Sequence, residues 1–161
     1  MVGPDTQITL FGNAWKAYKL DEPYTVSKNT QLKVDFNMIT EAEGHAICVD
    51  SDNNEDTFGG NHIRCFMVGG TQMDRWDHVI PRPAEVEKQN NICVATTFTF
   101  DLKDIFLGDS FKINYIGFIQ DNDDNPVFGE SSFKNIKLFD KPISVGDTNQ
   151  LVRTCASYWF E

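Results

Sequence analysis

The sequence predicts an all-β protein, an antiparallel β-sandwich of jelly-roll type, and three observations carry that expectation. Residues 31–38, QLKVDFNM, set Leu32, Val34, Phe36 and Met38 alternately with Gln31, Lys33, Asp35 and Asn37, the period-two signature of a strand with one dry face. Short apolar runs recur along the chain between Gly, Asn, Asp and Pro, and little repeats every 3.6 residues. Many short strands with such turns favour packed antiparallel sheets over α/β layers.

In chain order, strands are expected at 7–10, 15–19 and 24–27, then at 31–38, 45–50 and 62–68, and later at 93–102, 111–120 and 133–139. The run AEVEKQ near Ala84, preceded by PRP, has helical composition, and LKDIF at 102–106 is a second candidate turn. Both are too short for a packed helix. The sandwich is expected to fill residues 1–140. The remainder, 141–161, ends in Tyr158, Trp159 and Phe160, which are costly to leave in water, so this extension is expected to pack back on the sandwich.

A chain of 161 residues with thirteen Phe and three Trp is about one domain long and rich enough in apolar side chains to bury a core. Its formal net charge of −10 argues against nucleic acid as a partner, because there is no excess of cations to displace counterions from phosphates. No apolar stretch approaches the ~20 residues of a membrane span, so no membrane insertion is expected. The opening MVGPDTQ has no basic segment followed by an apolar run, so it does not read as a signal peptide and localisation rests on other features. Cys48, Cys65, Cys93 and Cys155 lack CxxC spacing, which weakens zinc and redox readings. All three pairings stay open. Cys48 and Cys65, inside apolar runs, are expected as buried thiols.

Two strand ends break abruptly into oxygen-rich residues. HAICVD is followed by SDNNED, and GFIQ by DNDDN. Calcium takes six to eight oxygen ligands from carboxylates, amides and carbonyls, so Asp50, Asp52 and Asn53 with Asp121, Asp123 and Asp124 are candidate ligands, expected to meet at one rim. The competing reading is that these side chains cap tight turns.

Sugar recognition needs aromatic faces and planar polar groups. Trp76, between Arg75 and Asp77, is the expected exposed aromatic, whereas Trp15, with Ala14 and Ala17 nearby, is expected in the core. Tyr115, Asn114, Gln72 and Gln120 lie in or beside strands and either line a groove or satisfy local hydrogen bonds. His45 shares a face with Ile47 and Val49, which favours a buried, satisfied histidine over a ligand contact. Arg64 and Lys33 should face solvent or a groove. There is no GxSxG elbow, HExxH helix or Cys-His signature beside the three histidines, so no catalytic site is expected.

Five blocks in order carry a resemblance: LFGNAWKAYKLDEPYTVSKNTQLKVDF at 10–36, GHAICVDSDN at 44–53, GGTQ at 69–72, INYIGFIQDNDDN at 113–125 and SSFKNIKLFD at 131–140. Together they resemble a non-catalytic carbohydrate-binding β-sandwich found beside catalytic modules in secreted polysaccharide-degrading proteins. The resemblance departs at the long insertion Met73–Asn91, at Cys48 and in the extension after Asp140. It implies a secreted or cell-surface protein that binds a polysaccharide or glycan, next to a tethered catalytic module. The alternative is a calcium-stabilised adhesion or matrix domain with a protein partner.

Overall fold

A computed structural model describes residues 6–53, 64–72, 79–80, 96–105, 111–123 and 128–142. The candidate helical run near Ala84, Trp76, Asp124, Cys93, Cys155 and the extension beyond residue 142 lie outside the described residues. Strands are β1 (Ile8–Phe11), β2 (Ala14–Thr25), β3 (Thr30–Thr40), β4 (Gly44–Asp50), β5 (Cys65–Gly69), β6 (Val79–Ile80), β7 (Thr96–Asp101), β8 (Lys112–Asp121) and β9 (Glu130–Asp140). One turn of 3-10 helix at Leu102–Asp104 falls on the LKDIF run, and no α-helix occurs among the described residues.

The strands form two sheets, in the orders β1-β9-β3-β7 and β2-β8-β4-β5-β6. All pairings are antiparallel except β5 with the short β6. The expected alternation holds in β3, where Leu32, Val34 and Phe36 are buried and the residues between them are partly exposed. These side chains meet Ile47, Val49, Phe66, Ile116 and Phe118 of the other sheet in one core. Each such burial stabilises the fold by roughly 1.5–3 kcal/mol. Rings bridge the sheets: Phe118 packs 5.1 Å from Phe133, and Phe66 stacks 4.2 Å from Phe100.

The segments expected as separate strands at 15–19 and 24–27 are one strand with a register shift between Lys19 and Tyr24. β2 is a sheet edge, so Pro23 loses no ladder hydrogen bond there and the irregularity accommodates it. Lys16 Nζ reaches from this edge to Thr9 O of β1, the edge of the other sheet, at 2.7 Å. Both edges are thereby tied and marked by charge.

Antiparallel order gives the sandwich two distinct ends. At one, the turns after β1, β3 and β5 meet the segments after β8 and before β9: Gly12 N–H donates to Gly129 O, Glu43 N–H to Asp121 O, and Gln72 N–H to Glu43 O. At the other, Asp140 accepts hydrogen bonds from the hydroxyls of Thr30 (2.6 Å), Ser27 (3.1 Å) and Tyr24 (3.2 Å). The Thr30 hydrogen bond, helped by Ser27 and Tyr24, holds the Asp140 carboxyl below its usual value, while burial and then the Asp140 charge push the Tyr24 phenol up.

Cys48 and Cys65 are not free thiols. They are direct cross-strand partners joined by a disulfide, with Cα atoms 4.0 Å apart. Val49 N–H donates to Arg64 O, which makes Cys48 and Cys65 a non-hydrogen-bonded pair. At that kind of position antiparallel Cα atoms approach most closely.

Candidate carbohydrate-binding face

The outward face of the five-stranded sheet is unusual for being apolar. Ile47, Val49, Ile116 and Phe118 point into the sandwich, so their neighbours Ala46, Cys48, Gly117 and Ile119 point away from it. Ala46, Cys48, Cys65, Met67 and Ile119 form a second buried cluster there. The outward face of the other sheet carries Gln31, Lys33, Asp35 and Asn37 instead, with Thr97 and Asn135 donating to the Asp35 carboxylate.

Along β2, the outward residues Trp15, Ala17 and Lys19 are exposed. Their partners on β8 are Ile119, Gly117 and Tyr115. Trp15, expected in the core, is 42 % exposed. A side chain at Gly117 would sit 3.6 Å from Trp15 Nε1 and 3.2 Å from Cys48 Cβ. The missing side chain thus leaves a low floor over which the indole lies. Trp15 and Tyr115 are four residues apart in this register, or about 13 Å at the rise of a strand, with Ala17 and Gly117 between them.

Charged groups bracket this lane. At the Trp15 end, the carboxylate oxygens of Glu43, Asp121 and Asp123 lie within 4.8 Å of one another. Glu43 is the organiser, buried, with Gln72 Nε2 donating to its Oε1 at 2.9 Å and Asp123 N–H to its Oε2 at 2.9 Å. Gly70 makes the arrangement possible: it adopts φ +117°, and a Cβ there would come within 2.5 Å of Glu43 O, closer than any side chain tolerates. At the Tyr115 end, Asp50 pairs with Arg64 at 2.6 Å, and the guanidinium lies 5.2 Å over the Phe111 ring.

The expectation of one acidic rim is therefore corrected. Asp50 pairs with Tyr115 and Asp121 with Gly44, so the two clusters stand at opposite ends of β4 and β8. Asp50 is also no open metal ligand. It is buried, and beyond Arg64 it accepts from Ser51 N–H at 2.7 Å and Asn53 N–H at 3.1 Å. That is a turn cap, and Asn53 completes the turn at φ 62°. Asp52 is exposed beside it.

Among the sequence-derived candidates for ligand contact, Tyr115 lies along the lane and Gln72 at its acidic end, while Arg64 is opposite core-facing Val49 and is held by Asp50 and the Phe111 ring beyond the far end. Asn114 Nδ2 donates to Ser51 O at 2.6 Å and so braces the Asp50 turn. His45 and Gln120 are wholly buried, which removes them from any surface. Gln120 Nε2 donates to Gly12 O at 2.7 Å and Gly129 O at 2.8 Å, and its Oε1 accepts from Ser131. It links both sheets at the acidic end. His45 Nε2 accepts from Ala42 N–H at 3.2 Å, leaving the proton on Nδ1, which has no hydrogen-bond partner among the described residues. Burial pulls its pKa down to about 4.

Sequence reasoning missed Trp15 and Glu43. The signal for Trp15 was present, because Tyr18 and Leu20 share one parity in the strand while Trp15 and Ala17 share the other with Lys19. Nothing marked Glu43, whose role depends on segments near 72 and 123 arriving at the same place. Comparison of the chain with protein-family models, curated proteins and solved structures finds no significant match.

Proposed function

We propose that this β-sandwich, of jelly-roll type, is a non-catalytic module that binds a polysaccharide or cell-surface glycan along the β2 edge of the outward face of its five-stranded sheet, where Trp15, Ala17 and Lys19 are exposed. The observation that carries the reading is the exposed Trp15 on a floor of Ala17 and Gly117, with Tyr115 farther along the same face. Flat aromatic faces suit the C–H-rich faces of sugar rings, and flanking carboxylates and cations suit hydroxyls. The five sequence blocks point the same way, and two of them contribute Gln72, Asp121 and Asp123, which gather at Glu43, just before a third block, at one end of the lane.

A calcium ion belongs to this reading at Glu43, Asp121 and Asp123, where a divalent cation offsets the repulsion of three close carboxylates. Binding would concentrate a tethered catalytic module on its polymer. The Cys48–Cys65 disulfide fits a secreted or cell-surface location, since such bonds persist in oxidising compartments.

The test is retention of the purified protein on immobilised neutral, uronate and sulfated polysaccharides, with calcium and with chelator, alongside Trp15→Ala. Selective retention that Trp15→Ala abolishes supports the proposal. Absence of retention on every polymer, or retention that ignores Trp15, refutes it.

A further inference from the structure

A second surface lies on the opposite sheet. Three large apolar side chains stand in water at the Glu43 end of the sandwich: Phe11 at 63 %, Ile39 at 50 % and Phe128 at 82 % exposure. β9 runs between β1 and β3, and the register sets Glu130 opposite both Phe11 and Thr40. The adjacent Leu10 and Ser131 are buried, so Phe11 and Glu130 turn outward together, and Ile39, the extra residue where the register shifts between Met38 and Thr40, is exposed beside them. The Phe128 ring lies 3.5 Å from where a side chain on Gly12 would begin. Glu130 therefore stands beside Phe11, with Thr40 across from it on β3 and Ile39 at the adjoining register shift, and it makes no ion pair among the described residues.

The turns around this patch carry charge of one sign, while Lys16 of β2 reaches Thr9 O on the far side of β1 from β9. The turns here carry Glu41, Glu43, Asp121, Asp123 and Glu130, and residues 10–14, 39–44, 69–72, 120–123 and 128–131 contain no Lys or Arg. Lys28, Lys103, Lys112 and Lys141 belong to the other end. A second copy of this chain would bring the same carboxylates against themselves, and a neutral glycan would leave the Glu130 charge uncompensated, since it has no ion pair among the described residues. A Lys or Arg side chain fits both halves of the surface, with its methylene stem along apolar walls and its charged head on a carboxylate.

We propose that the Phe11–Glu130–Ile39 surface docks a basic protein segment in which Lys or Arg alternates with apolar residues. The head group seats on Glu130 and its stem between Phe11 and Ile39, while a neighbouring apolar residue covers Phe128. This surface lies on the sheet opposite Trp15, so occupancy here is independent of glycan on the other face.

The test is an amide chemical-shift titration with a capped peptide alternating Leu and Arg, and in parallel with its neutral Leu/Gln counterpart. The expected result is saturable shifts at Phe11, Gly12, Ile39, Gly129 and Glu130 with the basic peptide only. Phe11→Ser, Ile39→Ser and Glu130→Gln should each weaken binding tenfold or more at unchanged melting temperature, whereas Glu22→Gln on the β2 edge should not. Non-saturating shifts spread over the acidic surface, an equal response to the neutral peptide, or shifts untouched by all three variants would overturn the proposal.

Discussion

Asp50 and Asp121 stand at opposite ends of one pair of strands, the first across from Tyr115 and the second across from Gly44. Their separation along β8 is six residues, from Tyr115 to Asp121, or about 20 Å. They do not share an ion. They mark the two limits of the lane that holds Trp15, and each limit has its own chemistry: a paired, capped carboxylate at one, a group of three at the other.

That difference predicts how calcium acts. Asp121→Asn combined with Asp123→Asn should abolish a calcium-induced rise in melting temperature, while Asp52→Asn leaves it intact. At calcium a hundredfold above its dissociation constant the rise corresponds to about 2.7 kcal/mol. Thermal melts with calcium and with chelator measure it, and an equal loss from Asp52→Asn would place the ion at the other end.

Trp15→Ala should weaken polysaccharide binding by about 1–2 kcal/mol, roughly five- to thirtyfold, with little change in fold stability. Gln120→Ala should do the reverse. It leaves Gly12 O, Gly129 O and the Ser131 hydroxyl without their partner, costing about 2–4 kcal/mol with binding unchanged in the folded fraction. Affinity electrophoresis and urea unfolding of the two variants separate the effects.

The fold was legible because alternation is a local signal. QLKVDFNM announces β3 by itself, and β4 and β8 fall on apolar runs, whereas the continuity of β2 is hidden by Asp21 and Pro23 within it. The site was legible only in part. Asp50 and Asp121 look alike as sequence, each an acid after an apolar run, yet Arg64 and two backbone N–H groups occupy one and Glu43 gathers the other. The partners come from distant segments, and no spacing rule connects them. Gln120 was ambiguous for the same reason, since a polar residue in a strand reads identically whether it meets a ligand or the carbonyls of the facing sheet, whereas His45, on the face of Ile47 and Val49, was legible as a buried side chain.

His45 predicts a stability profile. The unfolded imidazole takes a proton near pH 6.5, and the folded one only near about 4. Between those values the unfolded chain binds more protons, so the contribution is complete above pH 6.5. It falls by about 1.4 kcal/mol per pH unit toward pH 4, roughly 3 kcal/mol in all. In His45→Gln, whose amide oxygen can still accept from Ala42 N–H, the slope in that window should disappear. Urea midpoints measured from pH 7.5 to 4 check this, and an unchanged slope would assign the acid sensitivity elsewhere.

Replacing Cys48 and Cys65 together by Ala should destabilise the protein by about 3 kcal/mol, the value for a loop of this length. In the native protein the bond is buried, so thiol-disulfide exchange should await unfolding. Alkylation under native reductant should label neither cysteine; labelling without loss of folded signal would contradict the burial.

The same bond has a consequence for survival among proteases. A cut anywhere between Asp50 and Arg64 breaks the polypeptide but not the molecule, because Cys48 and Cys65 lie just outside that interval. The nicked species would run as one band before reduction and as two fragments after it. Its β4 and β5 would still be held in register, with Trp15 and Gly117 beside them. Chain continuity and the integrity of the five-stranded sheet are thus separable properties of this protein.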